Sequence, residues 1–171
     1  MIAQREDGMG DGTYCEPHER KPTVPVPATA SGGPVSHAIF RLTRLHRMVA
    51  AQLLRRLGLH PGQELLMMHL WECGPQRQAD LAALLGSDSA TITRTVHRLE
   101  RGGFVRRTPS PTDGRSVIVS PTTAGNALRA EVTTMWDELE KRTTAGLDEQ
   151  GIQATLDALL HMECNLREAD N

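Results

Sequence analysis

Aromatic residues are scarce in this chain: two Trp, one Tyr and two Phe among 171 residues. Packing therefore falls to Leu, Val, Ile, Met and Ala, a composition that leans helical. Cysteine is nearly as sparse. Cys15, Cys73 and Cys164 are odd in number, far apart and without CxxC spacing, which argues against a disulfide framework and suits a reducing cytoplasm. No apolar run approaches the roughly 20 residues that span a bilayer, and the mixed-charge, Gly-rich N-terminus lacks the apolar segment of a signal peptide. A cytoplasmic protein with no membrane partner is expected. G-x-S-x-G, the Walker loop and H-E-x-x-H are missing as well, and no acid/base constellation stands out. The reading is therefore not an enzyme, and it calls for no cofactor.

A strong charge of either sign is absent too, since 19 Lys and Arg against 21 Asp and Glu give a net −2. The distribution is uneven. Residues 76–120 carry seven basic and four acidic groups, whereas residues 121–171 carry four basic and ten acidic ones. The global sum thus hides a basic middle, and a local basic patch is the usual electrostatic footprint of contact with DNA.

The chain reads as a tail followed by one domain. Residues 1–34 hold five of the ten prolines and five of the 15 glycines. With few large apolar side chains they bury too little to offset the entropy of ordering, so a disordered tail is expected. Residues 35–168 make the domain. Val35, Ile39, Leu42, Leu45, Val49, Leu53 and Leu57 recur every three or four positions and predict a first amphipathic helix. Gly58 ends it, Pro61 opens a second helix through Trp71, and Gly74-Pro75 stops that one. A short third helix is predicted over Gln78–Leu85. After the hairpin described next, a fifth helix starts near Pro121 and runs toward Thr144, and a sixth covers about Asp148–Glu168.

The most informative stretch runs from Gly86 to Gly125. Ser87 or Asp88 caps a fourth helix whose Ile92, Val96 and Leu99 share one side, while Ala90, Arg94, His97 and Arg101 point the other way. Gly102-Gly103 ends it. Two β-prone runs, Phe104–Thr108 and Arg115–Ser120, flank a Pro- and Gly-bearing turn and predict a hairpin. Arginines on a helix beside such a wing can reach phosphates and base edges without giving up the apolar underside. The expected class is mainly α with a small β-hairpin wing: a six-helix winged helix-turn-helix. On helix four, Arg94 and Arg98 can pair with guanine O6/N7 or grip phosphate, and His97 shares their exposed side. Ser87, Ser89, Thr91 and Thr93 can donate to phosphates near the helix N-terminus, and Gln78 is a further phosphate candidate.

Thr91-Ile92-Thr93-Arg94 through Arg98-Leu99-Glu100, then Gly103-Phe104-Val105 and Asp113-Gly114-Arg115-Ser116-Val117-Ile118-Val119 followed by Thr122 and Gly125, resemble the MarR family of winged helix-turn-helix regulators. The resemblance covers about residues 35–168. It departs from the family at Pro121, where leucine is usual. By that resemblance helix four enters the major groove, the wing lies along the minor groove with Arg115 inserted, and Asp113 orients Arg115. It also implies a homodimer formed by the N- and C-terminal helices (residues 35–60 and 121–168), with 61–120 as the DNA-binding lobe. Such a dimer reads a palindromic operator in successive major grooves ~34 Å apart. The expected function is sequence-specific transcription regulation, with repression by operator occupancy and release by a small aromatic effector. His37, Phe40, Arg41, Met67, Met68 and Trp71 are the residues available to line the effector cleft, although Met and Trp at helical spacing are more often core.

Three rival readings remain. The winged fold can serve as an adaptor for protein partners. A metal-responsive variant would use His69 and Cys73, at i and i+4, but no third ligand is identifiable and no metal site is assigned. A redox-responsive variant would need an activated thiolate, which none of the three cysteines suggests.

Overall fold

The computed structural model describes residues 25–113 and 116–169, so the expected tail lies largely outside the described residues. Within residues 25–34 the chain makes a single 3-10 turn at Ala28–Ala30, and Pro34 already begins the first helix. The chain divides into two units, Met1–Ile39 and Phe40–Asn171, and the second holds everything considered below as a site.

Among the described residues six α-helices and three short strands follow one another: α1 (Pro34–Arg56), α2 (Gln63–Cys73), β1 (Gln76–Arg77), α3 (Gln78–Leu84), α4 (Ser89–Arg101), β2 (Val105–Pro109), β3 (Val117–Pro121), α5 (Thr123–Thr143) and α6 (Glu149–Ala169). The predicted hairpin is the β2–β3 pair, in antiparallel register from Val105 opposite Pro121 to Pro109 opposite Val117. It is not alone. Gln76 and Arg77 pair with Val119 and Ile118, which makes β3 the centre of a three-stranded sheet. Two residues give no period-2 pattern, so β1 carried no sequence signal.

Two helix starts differ from expectation for local reasons. Pro61 precedes the second helix rather than opening it, because Gly62, at φ 90°, supplies the left-handed turn and Gln63 is the first helical residue. Pro121 ends β3, and α5 begins two residues later because the Thr122 hydroxyl caps the Gly125 N–H at 3.0 Å.

One core holds these elements. Leu53 and Leu54 of α1, Leu66, Met67 and Leu70 of α2, and Leu81 of α3 meet Ile92, Val96 and Leu99 of α4. Val105, Val119 and the α5 stripe Leu128, Val132, Met135 and Leu139 complete it. Each such side chain contributes roughly 1.5–3 kcal/mol by leaving water. The core stops at α6, which buries none of its residues in this chain. Leu156, Leu159 and Leu160 there, and Leu42, Leu45 and Met48 of α1, are about half exposed. Among the described residues no helix is long and apolar enough to cross a membrane.

Candidate nucleic-acid interface

The fourth helix is fixed at both ends and along its underside. Asp88 is its cap: one carboxylate oxygen accepts from the Thr91 N–H at 2.8 Å, the other from the Thr91 hydroxyl at 2.7 Å. These bonds, the hydroxyl first, hold the Asp88 carboxyl below its ordinary pKa. Ile92, Val96 and Leu99 bury the inner face, and Arg94, His97, Arg98 and Arg101 stand exposed on the other. At the far end the Phe104 N–H returns to the Leu99 carbonyl at 2.9 Å, with Gly103 at φ 76° making the turn into β2.

Several hydroxyls expected to meet phosphate are already engaged within the chain. Thr91 donates to Asp88 and accepts from Arg94 Nη2 at 3.0 Å. Thr93 donates to the Ser89 carbonyl at 2.7 Å and accepts from Gln78 Nε2 at 2.9 Å. Gln78 thereby fastens α3 to α4 at the heart of the helix-turn-helix. Ser87 donates to the Leu85 carbonyl at 3.3 Å, and Ser89 is exposed at the helix start. A hydroxyl has a single hydrogen to give, so Thr91 and Thr93 serve the helix N-terminus first.

In the wing loop Asp113 accepts from Ser116 twice, carbonyl from N–H at 2.9 Å and carboxylate from hydroxyl at 2.6 Å. Gly114 and Arg115 lie outside the described residues, and with them the expected minor-groove contact. The wing is joined to the helix by residues that sequence reasoning missed. Arg107 of β2 reaches His97 of α4, and Glu100 Oε2 lies 3.6 Å from Arg107 Nε and 3.7 Å from His97 Nδ1. Nothing in the sequence marked Arg107 apart from Arg106, since only the strand register turns one of them toward α4.

The wing root meets α5 at a close crossing. Thr122 Oγ1 donates to the Gly103 carbonyl at 2.6 Å, and the Thr122 N–H donates to the Phe104 carbonyl at 3.0 Å. A Cβ on Gly125 would sit 2.0 Å from that same Phe104 oxygen. Trp71 of α2 donates its indole N–H to the Gly125 carbonyl at 3.1 Å.

A cavity of about 540 Å³ opens between α2, the end of α3 and α5, lined by Met68, Trp71, Leu84, Val132 and Trp136 among others. Arg129 and Glu72, which also line it, pair at 2.8 Å, and Trp136 Nε1 is buried without a hydrogen-bond acceptor among the described residues. Of the six residues named for an effector cleft, Met68 and Trp71 line this cavity. Met67 is fully buried in the core, Phe40 is 73% exposed, Arg41 is not in the lining and His37 belongs to the first unit. Trp136, Val132 and Arg129 were legible only as an apolar stripe and a charge on a long helix.

Cys73 Sγ lies 3.7 Å from His69 Nδ1, and among the described residues no three His, Cys, Asp or Glu side chains converge as a metal site. Cys73 and Cys164 are exposed free thiols.

Comparison with known proteins agrees with this architecture. The MarR family model matches residues 59–117, from the turn before α2 to the first residue of β3. An HTH-type transcriptional regulator of Bacillus subtilis, YcgE, is 37% identical over 82 residues, covering 48% of this chain and 51% of its own. The chain spans about half the length of the curated relatives it first matches. A solved probable transcriptional regulator from Pseudomonas aeruginosa is 30% identical, with a TM-score of 0.68 over 77% of this chain and 97% of that one. A single-residue mutant of the Escherichia coli protein MarR, solved in complex with operator DNA, has the same fold at 24% identity and a TM-score of 0.69, covering 80% and 98%. With a capped, arginine-faced fourth helix, a β2–β3 wing and near-complete overlap with a solved relative, the chain belongs to the MarR family of transcriptional regulators.

Proposed function

We propose that this protein is a sequence-specific DNA-binding regulator that acts as a homodimer and represses by occupying a palindromic operator. One observation carries the reading: α4 presents a row of arginines to solvent while its other face is locked into the core and its start is capped. Two of them, Arg98 and Arg101, make no side-chain ion pair or hydrogen bond within the described residues. A rigid, cationic, groove-sized rod suits duplex recognition. In this reading Arg94 contacts base edges, Arg98 contacts phosphate, and Arg115 enters the minor groove from the wing.

The bare apolar faces of α1 and α6 support the dimer, because exposed stripes of Leu and Met of this extent mark association surfaces. The α2–α5 cavity supports a small aromatic effector. Its walls include two indoles and several aliphatic side chains, and the Arg129–Glu72 pair and Asp137 bring charge to it. An occupant that favours a different spacing of the two α4 helices would release DNA by population shift.

The test is selection of bound sequences from a random duplex pool, followed by affinity measurements with Arg94→Ala. The expected result is an inverted-repeat consensus, and a loss of discrimination worth ~1–3 kcal/mol at one position per half-site in the variant. Binding to every duplex and to heparin with equal affinity would overturn the reading and favour a protein-binding adaptor.

A further inference from the structure

We infer that the C-terminal end of α4 carries a binding pocket for a phosphate-type oxyanion, formed with the turn between α1 and α2. A second cavity, of about 390 Å³, lies there, lined by Arg98, Arg101 and Gly102 of the helix end, by His60 of the turn, by Gln63 at the start of α2, and by Phe104. Three of these side chains are basic types and none of the lining residues is acidic.

What sets this place apart is that two guanidinium groups without a carboxylate partner among the described residues line one hollow. Arg56, Arg107, Arg129, Arg142 and Arg167 all have a carboxylate partner. Arg98 and Arg101 have none within the described residues. The carbonyl end of a helix carries roughly half a negative charge, which offsets only part of two guanidinium groups. The surplus is positive, and it is gathered in a concavity instead of being spread over an open face. Gln63 gives the pocket a fixed donor. Its side chain is only 4% exposed, and its Oε1 accepts the His60 N–H at 2.7 Å. That bond settles the orientation of the amide, and Nε2 has no protein acceptor within the described residues. Phe104 supplies a wall and Gly102 lets the backbone approach, since a Cβ there would already touch the Phe104 ring at 3.1 Å.

Two guanidinium forks, an amide N–H and an imidazole around one hollow match the several oxygens of a tetrahedral oxyanion. A carboxylate would use fewer of them. Two sources share that chemistry: a backbone phosphate of bound duplex, or the phosphoryl group of a free metabolite. The first rests on the reading of α4 as the DNA-reading helix; the pocket itself does not. Arg98 and Arg101 sit one to two turns beyond Arg94, so a phosphate held here would position the helix without reading sequence.

The experiment titrates the full chain with inorganic phosphate in the absence of DNA, at ionic strength matched with sodium chloride, following heat of binding and ³¹P line width. Saturable binding is expected, weakened about tenfold or more in Arg98→Ala and in Arg101→Ala and unchanged in Arg106→Ala. No binding beyond the chloride control, or binding that both variants retain, would overturn the pocket. A second arm separates the sources. If duplex phosphate fills the site, free phosphate competes with DNA and Arg101→Ala lowers the salt slope of DNA affinity by about one. If a metabolite fills it, phosphate binds the DNA complex as well, and the slope is unchanged.

Discussion

Arg107 Nη1 lies 2.8 Å from His97 Nε2, joining the middle strand residue of the wing's first arm to the exposed face of α4. An arginine N–H can only donate, so the ring nitrogen it meets is an acceptor. Glu100, one turn along the helix, stands beside both groups and holds the arginine in place by charge. The attitude of the wing toward the recognition helix is therefore set by three side chains rather than by the hairpin alone.

The carboxylate in this trio allows a prediction of opposite sign to simple electrostatics. Glu100→Gln removes a negative charge beside the arginine face of α4 proposed to meet DNA, and Coulomb's law alone would have the variant bind DNA more tightly. If Glu100 positions Arg107, affinity falls instead, by about three- to tenfold, and amide exchange in β2 and β3 quickens. A titration showing tighter binding with unchanged exchange would reduce the trio to surface charge.

Gly125 admits no side chain. A methyl group there meets the Phe104 carbonyl oxygen at 2.0 Å, and that oxygen belongs to the backbone and already accepts from Thr122. Gly125→Ala is expected to cost at least about 3 kcal/mol, a fall of roughly 6–12 °C in melting temperature for a domain of this size. Ala124, exposed on the same turn, provides the control: Ala124→Ser melts as the parent does.

Burial raises the pKa of Glu64, which is only 7% exposed and has one carboxylate oxygen without a hydrogen-bond partner. A raised folded-state value means that the folded chain holds this proton more tightly than the unfolded one. Its contribution to stability is therefore complete below the ordinary carboxylate value and is lost as pH rises through the folded value. Glu64→Gln, which removes the charge that burial penalises, should thus melt above the parent at neutral pH. The advantage should shrink toward pH 4. Thermal melts between pH 4 and 8 measure it directly.

The bare leucines of α6 give a test of assembly that leaves the core untouched. Light scattering at micromolar concentration should give twice the chain mass for the parent and a smaller particle for Leu159→Glu combined with Leu160→Glu. Both positions are about half exposed in the single chain. An unchanged mass in the variant would move the interface elsewhere.

Long elements were legible in the sequence because periodicity and punctuation agree there. The stripe Ile92, Val96 and Leu99, the Asp88 cap and the Gly102-Gly103 stop define α4 to within a residue. What escaped depends on tertiary register. β1 is two residues long and exists only because β3 offers it a ladder. Arg106 and Arg107 are neighbours in sequence, yet one meets Ser120 across the sheet and the other meets α4. Thr91 and Thr93 read as phosphate donors from their place at the helix start, but their local partners were not legible, because a hydroxyl's engagement is not encoded in its spacing. Gln63, and the place of His60 beside Arg98 and Arg101, could not be read from the sequence because the pocket forms between segments more than 30 residues apart.

One indole belongs both to the wall of the larger cavity and to the joint at Gly125. A guest that turns the Trp71 ring must stretch that joint, and the root of the hairpin is the nearest thing to yield. Under the proposed effector reading, that bond is a route from the cavity to the wing that leaves α4 untouched.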